Sequence, residues 1–197
     1  DLMDLALEEA QLGCNSKPRI LQSSDLDKFT LCRRIPVREE RSNGWRTRAV
    51  DDETEAGVNP ATWQDFSTVY DDISKLDIMA RYCLETGVPF TLWKRDVSKA
   101  FRKVMVAECH WTFAASIFHW HGTIWIIFHF GMPFGSVAAN SAWHRLGSAF
   151  RWIVRNLYKA PVARFVDDFF GISVLKGYWS GGMVLERLLA MAGYNCD

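Results

Sequence analysis

The longest apolar run in this 197-residue chain, Thr123 to Phe130 (TIWIIFHF), is less than half the roughly 20 residues that a membrane-spanning helix needs. It reads as a buried strand, and no membrane partner is expected. Cysteine is sparse and unpatterned. Cys14, Cys32, Cys83, Cys109 and Cys196 are an odd number, lie far apart and form no Cys-x-x-Cys. That argues against a zinc ribbon or a disulfide framework and for a reducing, intracellular compartment. The opening Asp-Leu-Met-Asp has no initiator Met, basic stretch or long apolar run, so no secretion is expected and the chain reads as an excerpt. The 13 glycines and 6 prolines form no linker, and no repeat is visible. Charge of one sign is also missing, with 23 basic against 23 acidic residues.

What is present is core-forming material. The chain is 49% hydrophobic with 27 aromatic residues, which excludes disorder and low complexity. A chain of this size buries roughly 70% of the surface its unfolded form exposes. The zero net charge hides an uneven spread: residues 15–50 carry nine Lys/Arg against four Asp/Glu, and residues 51–100 carry five against ten. A basic third of this kind suits either a polyanion or a solvated surface.

Residues 34–50 (RIPVREERSNGWRTRAV) alternate on both sides of Ser42-Asn43-Gly44, a strong hairpin signal. Its strands carry Arg33, Arg34, Arg38, Arg41, Arg46 and Arg48 and run into Asp51-Asp52. Residues 91–97 (TLWKRDV) read as a strand, with Ser98 capping a short helix from Lys99 to about Met105. Residues 111–130 form two apolar runs split by His121-Gly122, a second hairpin. From Gly135 the period turns helical through Ala139, Trp143, Leu146, Phe150, Ile153 and Leu157 until Pro161 stops it. Residues 162–166 and 169–175 are strands flanking a turn at Asp167-Asp168, and residues 183–192 make a last helix.

Chemistry concentrates on three carboxylates. Asp167-Asp168 alone is ordinary turn chemistry, and a strand-end Asp96 alone is ordinary helix capping. The aromatic flanks of Asp167-Asp168 leave few cations to neutralise the pair, and a divalent ion would relieve the repulsion. His119 and His121 can share a strand face as metal ligands, but no Cys or acidic partner is suitably placed. A structural role is expected for them, and a core role for most of the nine Trp.

Three segments stand in order: Asp96-Val97-Ser98-Lys99-Ala100-Phe101, Met132-Pro133-Phe134-Gly135 and Phe165-Val166-Asp167-Asp168. In these the sequence resembles the reverse transcriptases of retroviruses and retrotransposons, whose motifs are an Asp followed by an aromatic five positions on, a Pro-x-Gly opening a helix, and aromatic-x-Asp-Asp. The basic hairpin resembles the same family's fingers motif, with Arg48 and Asp52 four apart, Arg41 where a Lys is usual, and Asn59 completing it. The resemblance runs from about Arg33 to the end.

The resemblance implies an α/β (α+β) right-hand polymerase fold: an antiparallel palm sheet backed by helices, with fingers interleaved. Residues 33–70 would be fingers, 71–105 palm, 106–134 fingers and 135–197 palm, with 1–32 unassigned. It implies RNA-directed DNA synthesis. Asp96 and Asp167 would hold two Mg²⁺ ions, or Mn²⁺, with Asp168 beside them and Val97 among the metal-holding positions. Arg41 and Arg48 would grip the triphosphate, a task that suits a guanidinium fork. Phe101 would exclude a 2′-hydroxyl, and Phe134 and Gly135 would let nucleotide and template approach. Partners would be an RNA or DNA template, a primer strand and deoxynucleoside triphosphates. A thumb, and RNase H or integrase regions of a longer polyprotein, would lie outside the chain. The family's Lys downstream of the paired aspartates has no clear match, since Lys176 lies too near the hairpin. Two other readings stand beside this one: an RNA-dependent RNA polymerase, and a catalytically dead or domesticated element that only binds nucleic acid.

Overall fold

The computed structural model describes residues 1–42, 44–64, 67–175 and 180–196, with only the backbone at Arg41. Asn43 of the expected hairpin turn and Lys176 lie outside the described residues. In chain order the elements are α1 (Leu2–Gln11), β1 (Arg19–Ile20), α2 (Ser23–Leu26), β2 (Leu31–Arg41), β3 (Gly44–Asp52), α3 (Val58–Ala61), α4 (Ile73–Glu85) and β4 (Phe90–Asp96). Then follow β5 (Ala115–Trp120), β6 (Thr123–Phe128), α5 (Val137–Asn156), β7 (Val162–Phe165), β8 (Asp168–Val174) and α6 (Gly181–Met191). This is a mixed α/β chain that divides into two compact units, residues 1–65 with 101–140 and residues 66–100 with 141–197.

The first unit is built on a five-stranded mixed sheet in the order β1-β6-β5-β2-β3, antiparallel except for the parallel pair β2/β5. The arginine-rich hairpin forms as its alternation requires, in register from Arg33 opposite Asp52 to Arg41 opposite Gly44. Helix α1 starts with a capping box between Asp1 and Asp4. Its Met3 and Ala6 form one core cluster with Phe118 of β5 and Ile127 of β6, flanked by Leu2, Trp120 and Trp125.

Charge is buried beside that core. Glu9 Oε2 accepts from Arg34 Nη2 at 2.6 Å and Arg102 Nη2 at 2.9 Å. Arg34 also lies 3.7 Å from Asp51, and His129 Nε2 lies 3.4 Å from the same carboxylate. Burial alone would push the Asp51 carboxyl up, but His129, Arg34 and Ser116 outweigh it and hold it well below the ordinary range. Burial pushes His129 down, toward the neutral imidazole.

The second unit is a three-stranded antiparallel sheet, β4-β8-β7, with α4 and α6 packed against β8. Helix α5 runs along the buried residues Ala139, Trp143 and Val154. The expected stripe holds at Ala139 and Trp143 and departs from there: Leu146 is 38% exposed and Leu157 falls beyond the helix, while Gly147 and Val154 take inward places. Asp71 joins helix to sheet. Its Oδ2 accepts from Arg151 Nη1 at 2.6 Å and from the Arg164 backbone N–H at 3.1 Å.

Two expected elements differ, and one element was not expected. Lys99 to Met105 is not a helix but a single 3-10 turn at Phe101–Lys103, because Lys99 sits at φ 53° and the following residues are drawn into extended pairing. Val106 N–H donates to Phe130 O at 2.7 Å, and Met132 N–H to Val104 O at 2.8 Å. Residues 111–113, expected as the start of a strand, belong instead to the 3-10 turns Glu108–Phe113, closed by the Ala114 N–H to Trp111 O bond at 3.1 Å. Helix α4, capped by Asp72, had no counterpart in the sequence reading.

Candidate active site

Antiparallel pairing of β4 with β8 runs from Phe90 opposite Val174 to Asp96 opposite Asp168. Directly opposed residues project from the same face, so strand register alone brings the last residue of β4 against the first of β8. Asp168 therefore opens a strand rather than sharing the turn, and the hairpin loop is the two residues Val166 and Asp167. The Asp167 carbonyl accepts the Val97 N–H at 3.2 Å, which ties the loop to the exit of β4. Val97 itself is buried, and Ser98 N–H donates to Asn195 O at 2.9 Å. Asp96, Val97, Asp167 and Asp168 are thus one cluster in the second unit.

The loop conformation is unusual. Val166 has φ 53°, a left-handed value that a β-branched residue rarely adopts. In a two-residue hairpin this first position normally takes Gly. Such strain costs on the order of 1–3 kcal/mol and persists only where surrounding contacts enforce it. Here the Val166 carbonyl accepts from Trp143 Nε1 at 2.9 Å and from Arg164 Nη1 at 2.5 Å.

A cation stands at the carboxylates. Lys94, two residues before Asp96 on β4, places Nζ 2.9 Å from Asp168 Oδ1. The hydrogen bond to Asp168 raises the Lys94 pKa most, with further attraction from Asp168, Asp96 and Asp167. All three negative charges therefore act on the Lys94 ammonium, which is 65% exposed. Among the described residues no group of three or more His, Cys, Asp or Glu is placed to hold a metal ion. What fits a hard divalent ion is the donor chemistry, carboxylate oxygens brought from two strands, and the convergence of their charge on the Lys94 ammonium.

The residues expected to bind nucleotide lie in the first unit. Arg48 Cζ sits 5.8 Å from the centre of the Phe134 ring, and Arg48 pairs with Glu39 across the hairpin at 2.9 Å. The Phe134 carbonyl accepts the Asp51 N–H at 2.8 Å. Gly135 has φ 126°, and a Cβ there would come within 2.2 Å of the Asp51 carbonyl oxygen, so only glycine fits this approach of the 133–136 segment to β3. Asn59 clamps that segment, donating to Gly135 O at 2.9 Å and accepting from Val137 N–H at 2.9 Å. Phe101 opens the 3-10 turn and is half-buried. Arg41 ends β2, and its side chain lies outside the described residues.

Two residues beside the cluster were not singled out from sequence, Lys94 and Arg164. Lys94 was findable from the two-residue period of β4, which puts it on the face of Asp96. No protein-family model matches the chain, and no curated protein does.

Proposed function

We propose that the chain supplies the fingers and palm of an RNA-directed DNA polymerase of right-hand fold, an intracellular enzyme that extends a primer 3′-hydroxyl with deoxynucleotides on an RNA or DNA template. The observation that carries this reading is the pairing of Asp96 with Asp168 at adjoining strand ends, with Asp167 in the strained loop between β7 and β8. The motif resemblance supports the same assignment. Asp96 and Asp167 would hold two Mg²⁺ ions, with Asp168 and Val97 beside them. Such ions would lower the pKa of an attacking hydroxyl and stabilise the leaving pyrophosphate.

The chain's own residues do the rest in this reading. Arg48 and Arg41 offer guanidinium forks to the triphosphate oxygens, where bidentate pairing gives orientation as well as attraction. Phe101 excludes a ribose 2′-hydroxyl. Phe134, stacked under Arg48, presents an aromatic surface to the nucleotide next to Gly135. Template and primer are gripped mainly through phosphates, so affinity falls steeply with salt.

One observation favours a second reading, a nucleic-acid binder without catalysis: the Lys94 ammonium already occupies Asp168. Measuring primer-template binding and primer extension on the same samples, with Mg²⁺ and all four deoxynucleotides, tests the two. Extension by the chain that is lost in Asp167→Asn, with binding retained in both, supports the polymerase. Binding without extension in either protein supports the binder. The RNA polymerase reading requires ribonucleotides to be used at least as well as deoxynucleotides.

A further inference from the structure

Three structural costs meet at one point of the second unit. Val166 holds a left-handed backbone at φ 53°. Arg164 is a fully enclosed arginine, 1% exposed, whose pKa burial lowers to about 10. Gly147 interrupts the middle of the 20-residue helix α5, where glycine costs roughly 0.5–1 kcal/mol relative to alanine. A Cβ at Gly147 would lie 2.7 Å from Arg164 Nη1 and 2.9 Å from its Cζ. The missing side chain is the space that the guanidinium fills.

That guanidinium is held on several sides. Nη2 contacts His144 Nδ1 at 2.9 Å and donates to His144 O at 3.3 Å and Ser148 Oγ at 3.2 Å. The Tyr70 ring lies 5.2 Å from Cζ. The Arg164 backbone is fixed from both sides by Asp71, whose Oδ2 accepts its N–H and whose N–H donates to its carbonyl at 3.0 Å. The Nη1 left over donates to the carbonyl of Val166, the residue next to Asp167. Trp143 Nε1 meets the same oxygen. A buried, multiply anchored charged donor at that carbonyl fixes the orientation of the peptide joining Val166 to Asp167.

We infer that Arg164 is a positioning residue for the carboxylates: seated in the notch left by Gly147, it holds the strained Val166 loop in the conformation that sets Asp167 and Asp168 against Asp96. This role rests on the polymerase reading. Arg164 touches neither substrate nor metal; it acts through the Val166 carbonyl. Fixing the shell behind a metal-binding carboxylate commonly matters by roughly 10- to 100-fold in metal affinity or activity.

Gly147→Ala separates positioning from stability. The added methyl meets the guanidinium rather than backbone, so the guanidinium must shift, while the helix gains the propensity that glycine forfeits. Arg164→Lys keeps the charge and loses the fork. Both variants are compared with the unaltered chain by thermal midpoint, by Mn²⁺ binding followed through the free-ion paramagnetic signal, by the Trp143 indole N–H resonance assigned with Trp143→Phe, and by kcat and KM in primer extension. The expected result for Gly147→Ala is a retained fold, a displaced Trp143 indole resonance, Mn²⁺ binding weaker by roughly 10-fold or more, and a fall in kcat with little change in nucleotide KM. Arg164→Lys should follow it, and if that variant fails to fold, Gly147→Ala alone decides. If Gly147→Ala folds with its indole resonance and Mn²⁺ affinity unchanged, the inference is overturned while the polymerase reading stands. If the unaltered chain neither binds Mn²⁺ nor extends a primer, the polymerase reading fails and the positioning role with it.

Discussion

Arg34→Met removes the centre of the buried charge cluster in the first unit. The Arg34 side chain is 1% exposed and is shared by Glu9 at 2.6 Å and Asp51 at 3.7 Å, the latter only 2% exposed. Methionine approximates its volume, so the loss is electrostatic rather than a cavity. Among the described residues Asp51 then keeps Ser116 and His129, an imidazole that burial itself pushes toward the neutral form, and Glu9 keeps Arg102. Breaking one partner out of a buried ion pair costs about 3–5 kcal/mol. With a urea dependence of about 1–3 kcal/mol per molar, the unfolding midpoint should fall by roughly 1–5 M. The pH dependence has a definite sign. Asp51 is depressed in the folded state, so its contribution is present above the ordinary carboxylate range and is lost as pH falls through the folded value. In Arg34→Met the folded-state value moves back toward the ordinary one, so this pH-dependent contribution should be smaller and should be exhausted at a higher pH. A urea midpoint within about 0.3 M of the unaltered chain, corresponding to well under 1 kcal/mol, would refute the assignment of this cluster as a stabilising network.

Four further outcomes are expected. Lys94→Met removes the only cation paired with Asp168 among the described contacts, so Mn²⁺ should bind a few-fold more tightly, the gain shrinking with salt; unchanged affinity in a titration would count against the shared carboxylate field. Gly135→Ala must place a methyl on the Asp51 carbonyl at a backbone angle unsuited to it, and a loss of at least 2 kcal/mol in chemical denaturation is expected, within the range for strained backbone and core overpacking. Asn59→Ala loses its bonds to Gly135 and Val137, about 1–2 kcal/mol by the same assay. Phe101→Ala should raise the use of ribonucleotides relative to deoxynucleotides in primer extension, and a constant ratio would remove the sugar-gate role.

Much of the strand architecture was legible because strand signals here are local. The alternation around Ser42-Asn43-Gly44 specified the β2/β3 hairpin, and the aromatic runs about His121-Gly122 specified β5/β6. The short helix expected after Asp96 does not form, since its residues are claimed by pairing with 130–132, a partner no local pattern announces. Helix α4 was missed for a related reason: Ile73, Ile78, Tyr82 and Leu84 are all exposed, so its apolar residues mark no single buried face. The three aspartates were visible as motif positions, but their pairing across β4 and β8 depends on register, which sequence spacing does not supply. Arg164 was the least visible of all. It reads as one more exposed cation until Gly147 and Val166, two residues that break local rules, are seen to surround it.

The central claim is that Asp96, Asp167 and Asp168 form a nucleotidyl-transfer centre. Single-nucleotide incorporation tests it most directly: one deoxynucleotide, a DNA primer on an RNA template, and Mg²⁺ varied from none to saturation, with the unaltered chain, Asp96→Asn and Asp167→Asn in parallel. The account predicts incorporation that requires Mg²⁺ and the complementary deoxynucleotide and that vanishes in both variants while primer-template binding persists. Incorporation that survives either substitution, or a chain that binds primer-template and never extends it at any Mg²⁺ concentration, would contradict it.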